Sequence, residues 1–139
     1  MATITTFVEG DQAHEVVQGR VGYMSKVLDF SVTNASAADV VQALKVKAGT
    51  TILSCGTRIK TAEGGTATAD LGDASDPNGF GDAVDLNAAA GTIEKALEAD
   101  AYGIGRHYSS DDTIDLTLDH ALDAAVIEVF ATYATPALS

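Results

Sequence analysis

The chain has few of the residues that nucleic-acid-binding and membrane-binding proteins depend on. Of its 139 residues only 8 are Lys or Arg, against 20 Asp and Glu, which gives a formal net charge of -12. Binding to a phosphate backbone needs clustered Lys and Arg, and anionic membrane surfaces attract basic segments for the same electrostatic reason. We therefore expect neither nucleic acid nor a membrane as a partner. We interpret the negative charge first as a feature that favours solubility, with cation binding as the alternative.

Cysteine and aromatic residues are also scarce. Cys55 is the one cysteine, which excludes an internal disulfide and any multi-cysteine zinc site. It lies in the strand-like run TILSCG at 51–56, where we expect a small buried hydrophobic residue and not a reactive thiol. Tryptophan is absent, and Phe and Tyr make up only 6% of the chain. The many carboxylates therefore have little aromatic surface beside them with which a glycosidase would bind sugar.

Signatures of catalysis and of membrane insertion are missing from the sequence. It contains no G-x-G-x-x-G, no P-loop, no H-E-x-x-H and no G-x-S-x-G. His14, His107 and His120 lie in separate segments, none with a helix-spaced partner for a metal. No nucleophile can be paired with a base, so we expect a protein that is not an enzyme. With no signal-peptide pattern and no apolar run of ~18 residues, we expect a soluble product made in a cytoplasm.

What the sequence does contain is a repeated alternation of apolar and polar residues. A period of two is the mark of a half-buried strand. Turn-forming residues recur between the alternating segments, which favours an all-β sandwich or barrel. The length suits one domain, which we place at residues 21–139. The predicted strand segments are 21–33, 40–48, 53–60, 66–71, 101–108, 113–119 and 124–133.

The alternation also predicts which side chains point into the core. In the first segment the inward residues are predicted to be Leu28, Phe30 and Val32. In the third segment they are predicted to be Leu53, Cys55, Thr57 and Ile59, and in the segment 113–119 they are predicted to be Ile114, Leu116 and Leu118. The run Glu63-Gly64-Gly65 then predicts a hairpin turn.

Three further segments stand apart from this pattern. Residues 1–20 have no sustained period, which suggests an extended N-terminal arm able to reach a neighbouring subunit. Residues 91–101 fit either one short helix or a loop. The segment 124–133 (AAVIEVFATY) is apolar on both faces. We therefore expect it to be central in the fold or covered by a neighbouring chain.

The middle of the chain, 72–91, reads as one long connection rich in Gly, Asp and Asn. Calcium prefers six to eight oxygen ligands, which Asp and Asn side chains could supply here. The spacing does not match the EF-hand pattern, so a solvated, turn-rich loop is the alternative. The candidate calcium ligands are Asp73, Asp76, Asn78 and Asp82.

Several phrases of the sequence resemble known phage proteins. The stretches DVVQALKVKAGT (39–50) and TAEGGTATADLGD (61–73) resemble small structural proteins of tailed phages, especially marine ones. The stretch YSSDDTIDLTL (108–118), with AVIEV (125–129), is similar to the final strands of jelly-roll virion proteins. The resemblance covers roughly residues 21–135 and is one of pattern, without a diagnostic motif.

This resemblance implies a head-decoration (cement) protein with a jelly-roll-like β-sandwich. Such a protein would assemble as a homotrimer, bind the major capsid protein and stabilise the capsid lattice from its outer surface. Two alternatives stay open. One is another non-enzymatic virion component, such as a head fibre, tail tube or tail tip. The other is a calcium-dependent carbohydrate-binding module.

Overall fold

The structure, a computed structural model, describes residues 19–136. Over this range the chain forms strands and turns without a helix, and two antiparallel sheets face each other as a sandwich. The all-β sandwich expected from the sequence is thus confirmed. The arm predicted at 1–20 lies outside the described residues except for Gly19 and Arg20. The strands are β1 (Val21–Asp29), β2 (Val40–Val46), β3 (Thr51–Thr61), β4 (Thr68–Gly72), β5 (Gly81–Asp85), β6 (Ile93–Lys95), β7 (Arg106–His107), β8 (Asp112–Leu118) and β9 (Val126–Ala134).

The two sheets have simple strand orders. The first sheet runs β1-β9-β3-β6, with β7 also pairing with β3, and the second runs β2-β8-β4-β5. Strand β9 is paired with β1 on one side and β3 on the other. Strand β9 is therefore central in its sheet, which is the first of the two arrangements expected for the segment 124–133.

The core lies between the sheets and is built from alternate side chains. On β8 the inward residues Ile114, Leu116 and Leu118 are at most 1% exposed, as the alternation predicts. Cys55 of β3 is fully buried, and burial raises the pKa of its thiol to about 12. Cys55 therefore stays protonated and acts as a small core residue, as expected.

Two of the predicted inward residues point outward instead. Leu53 is 46% exposed, and its neighbour Ile52 is buried instead. The reason is a shift of register between Ile52 and Ser54 in the pairing of β3 with β9. An extra residue of this kind reverses the face of its neighbours. Val32 is 79% exposed, because β1 ends at Asp29 and the chain turns there. The Asp29 carboxylate stabilises that turn by accepting a hydrogen bond from the Ser31 amide.

The hairpin predicted at Glu63-Gly64-Gly65 is wrong, because β3 and β4 belong to different sheets. The connection instead crosses the sandwich and is fastened by the Glu63 carboxylate. This group accepts hydrogen bonds from the backbone amides of Asp123 (2.8 Å), Ala124 (3.1 Å) and Ala125 (2.7 Å). Burial opposes ionisation of Glu63, but the three amides outweigh it and lower its pKa. The crossover is thereby tied to the turn that precedes β9.

The centre of the chain is more structured than predicted. The segment 72–91 is not one connection, because it contains β5, which pairs with β4. The segment 91–101 forms β6 followed by turns, and in 101–108 only the two residues of β7 are strand. Both short strands pair with β3, and two or three residues are too few for an apolar period to show. Among the described residues, no helix of membrane-spanning length and hydropathy is present.

Candidate functional site

The four predicted calcium ligands lie around the connection from β4 to β5. Asn78 and Asp82 are exposed and Asp76 is half-buried, whereas Asp73 is only 1% exposed. One oxygen of Asp73, Oδ1, accepts hydrogen bonds from the amides of Ser75 and Asp76, both at 2.9 Å. Asp73 therefore holds its own turn closed, as Asp side chains commonly do.

The charge of Asp73 is balanced by a cation from a distant part of the chain. Arg106 of β7 places its Nε 3.6 Å from Asp73 Oδ2, and the Tyr102 hydroxyl donates to Asp73 Oδ1 at 3.1 Å. The Arg106 guanidinium lies over the rings of Tyr102 and Tyr108, at 4.6 and 5.3 Å from their centroids. Burial, with the Asp73 charge adding to it, raises the pKa of Tyr102 to about 12, so this hydroxyl remains a donor. Asp73 is thus part of an ion-paired, aromatic-walled cluster.

The calcium hypothesis stays a prediction with a direct test. Between residues 19 and 136, no group of three or more His, Cys, Asp or Glu side chains is arranged to hold a metal ion. The hypothesis predicts that millimolar calcium raises the melting temperature. The substitution Asp82→Asn, at an exposed position, should cancel that rise. A melting temperature that is the same in calcium and in chelator would contradict the hypothesis.

The outward side of the first sheet carries a set of exposed and half-exposed apolar side chains that we call the apolar face. Tyr23 lies opposite Thr132, and Val27 lies opposite Glu128, so β1 and β9 present these residues on one side. The Tyr23 and Phe130 rings are stacked, with centroids 6.1 Å apart and planes 20° apart. The apolar face comprises Val21, Tyr23, Val27, Leu53, Ile93 and Phe130.

Acidic and basic residues are unequally distributed between the two sheets. The strands of the second sheet carry one basic residue, Lys45, and five acidic ones: Asp70, Asp82, Asp85, Asp112 and Asp115. The strands of the first sheet carry only three acidic residues: Asp29, Glu94 and Glu128. They carry five of the eight basic ones: Lys26, Arg58, Lys60, Lys95 and Arg106. In a chain with a formal charge of -12, the apolar face therefore lies on the less acidic of the two sheets.

The sequence contained one signal of the apolar face, which is the two-sided apolar character of the segment 124–133. The inward residues of β9 fill the core, whereas its outward residues Val126 and Phe130 stay half-exposed. The partner strand β1 lies about a hundred residues earlier in the chain. Alternation alone does not reveal which distant strands share a sheet, so the apolar face could not be assembled from the sequence.

Comparison with known proteins gives a likeness of fold. No family model and no curated protein matches the chain. A chain of the cyanophage Pam1 capsid asymmetric unit matches with a TM-score of 0.69 at 17% identity, over 97% of this chain and 99% of that one. A chain of the capsid of Ralstonia phage GP4 matches with a TM-score of 0.63 at 15% identity, over 100% and 92%.

A third match comes from the acidic stable capsid structure of Helicobacter pylori bacteriophage KHP30. Its TM-score is 0.58 at 11% identity, over 83% of this chain and 86% of that one. At these low identities, the TM-scores show a shared fold. The chain has the β-sandwich fold of chains found in phage capsids.

Proposed function

We propose that this chain is a structural, non-enzymatic virion protein that binds the outer surface of a phage capsid and stabilises its lattice. The observation that carries the proposal is the fold match to chains from three phage capsids. Each match covers at least 83% of this chain and at least 86% of the other. The likeness therefore extends over nearly the whole of each matched chain and is not confined to one domain of a larger subunit. That favours an accessory capsid subunit over the lattice-forming one.

The proposed partners are the major capsid protein and further copies of this chain, with a homotrimer as the assembly. A protein of this kind binds through buried area and needs no reacting groups. The buried, protonated thiol of Cys55 is consistent with that role. The Nδ1 atom of His107 is hydrogen-bonded to the Thr51 hydroxyl at 2.8 Å. The Nδ1 atom of His120 accepts a hydrogen bond from the Thr68 amide at 3.3 Å. The capsid matches favour the head over the tail as the location in the virion.

Electron microscopy of particles labelled on this protein tests the proposal. We expect label at regular positions over the head surface, and purified protein should co-sediment with capsids that lack it. Label confined to the tail, or the absence of label from particles, would contradict the proposal. Sedimentation of the purified protein at the mass of three chains tests the homotrimer.

Deleting residues 2–18 is expected to abolish capsid binding and leave the fold intact. The predicted role of this segment is to reach a neighbouring subunit, and the sandwich core is built from strands that begin at Val21. Co-sedimentation with capsids measures binding, and the melting temperature of the truncated protein is the control for folding. Normal occupancy of capsids by the truncated protein would defeat the prediction.

A further inference from the structure

We infer that the apolar face is the surface that contacts the capsid, and that its partner is an acidic, partly apolar patch of the major capsid protein. This inference rests on the proposed function and adds the docking surface and the chemistry of what it meets. The acidic outer side of the second sheet would then face solvent.

The distribution of exposed apolar side chains supports the first half of the inference. Five of the nine large apolar residues exposed in the described chain lie on strands of the first sheet. The strands of the second sheet contribute one, Val40. Contiguous apolar patches on a protein surface mark interfaces, and aromatic residues are enriched at their centres. The stacked Tyr23 and Phe130 rings supply such an aromatic pair.

The charge distribution supports the second half of the inference, which is the acidic character of the partner. Lys60 and Lys95 are exposed on β3 and β6, beside the apolar face. Glu128, the acidic residue at its centre, is already neutralised by Arg58 at 2.9 Å. A chain with a formal charge of -12 repels most acidic surfaces, so a local excess of lysine selects where an acidic partner can approach. Two copies of the apolar face placed against each other would bring like-charged lysines together, which disfavours a second copy as the occupant.

The point at which the described chain begins agrees with this arrangement. Val21, the first residue of β1, belongs to the apolar face and is 75% exposed. The preceding residue, Arg20, is fixed beside the end of β9, since the Thr135 amide donates to its carbonyl at 2.8 Å. The described part of the chain therefore begins next to the apolar face. A partner held by the arm would meet that face.

Two double variants with matched controls test the inference in a capsid-binding assay. Tyr23→Ser with Ile93→Ser removes two side chains that are each 57% exposed, and Val40→Ser on the second sheet, also 57% exposed, is the control. Lys60→Glu with Lys95→Glu reverses the basic charge, and Lys45→Glu on the second sheet is its control. The probe is capsids stripped of this protein, and the dissociation constant is measured at low and at high salt.

Each face variant is expected to weaken binding by about tenfold or more, and the lysine variant should also reduce the salt dependence. The dissociation constants of the control variants should stay within about twofold of the wild-type value. If the Tyr23→Ser, Ile93→Ser double variant fails to fold, Ile93→Ser alone is measured instead. Face variants that bind as well as the wild type would overturn the inference, as would a loss of self-association with capsid binding unchanged. If the wild type itself does not bind capsids, the proposed function fails instead.

Discussion

Replacing Asp73 with Ala is expected to lower the free energy of unfolding by about 3 kcal/mol, the low end of the range for removing one partner of a buried ion pair. The low end applies because the Arg106 side chain is 33% exposed, whereas that of Asp73 is fully buried. Without the carboxylate, Arg106 loses its anion. The amides of Ser75 and Asp76 lose their acceptor in a part-buried turn, which adds to the cost.

Urea denaturation measures this effect, as a lower midpoint with an unchanged dependence on denaturant. Asp82→Ala is the control, because Asp82 is also an aspartate, lies on β5 at the other end of the same connection and is exposed. It is expected to change the free energy of unfolding by no more than about 0.5 kcal/mol. A double-mutant cycle with Arg106→Leu isolates the pair, since Asp73→Ala should cost less once Arg106 is gone. Equal losses in both backgrounds would show that Asp73 acts without Arg106.

Asp73 also shows how far the sequence could predict this molecule. Its surroundings of Asp, Asn and Gly indicated a turn, and the structure contains that turn. Arg106 lies 33 residues further along the chain, in a two-residue strand with no readable period. The pairing of β7 with β3 and a hydrogen bond from the Tyr102 amide to the Gly79 carbonyl bring it back to the loop after β4. The sequence therefore predicted the turn around Asp73, with Asp73 as one of four candidate calcium ligands, but its pairing with Arg106 depends on the tertiary fold.

The same distinction separates the elements that were predicted from those that were not. Strand β8 alternates without interruption over seven residues, and its inward side chains were correctly identified. The sequence of β3 alternates equally well, but a register shift after Ile52 turns the Leu53 side chain away from the core. A bulge reflects how two distant strands pair, and it leaves no mark on the period of either strand. The apolar face could not be predicted for the same reason, because it depends on the pairing of β1 with β9, which are far apart in the sequence.

Gly72→Ala is expected to cost about 3 kcal/mol of unfolding free energy, because backbone atoms occupy the space that the new methyl group needs. Gly72 is the last residue of β4, and a Cβ built there would overlap the backbone of Asp76 and Pro77. The Asp76 carbonyl cannot retreat cheaply, since it accepts hydrogen bonds from the amides of Asp73 and Gly79, both at 3.0 Å. Relief of the overlap would therefore break the turn that Asp73 organises.

Thermal unfolding of Gly72→Ala beside Gly65→Ala tests this directly. Gly65 lies in the crossover between β3 and β4, has nothing within 4 Å of a built Cβ and does not have a positive φ. Its replacement is expected to leave stability unchanged or raise it by up to about 1 kcal/mol, because alanine restricts the unfolded chain. Equal melting temperatures for the two variants would mean that the loop after β4 can move away from the sheet. That result would also remove the basis for the loss expected on replacing Asp73, because both depend on the same closely packed turn.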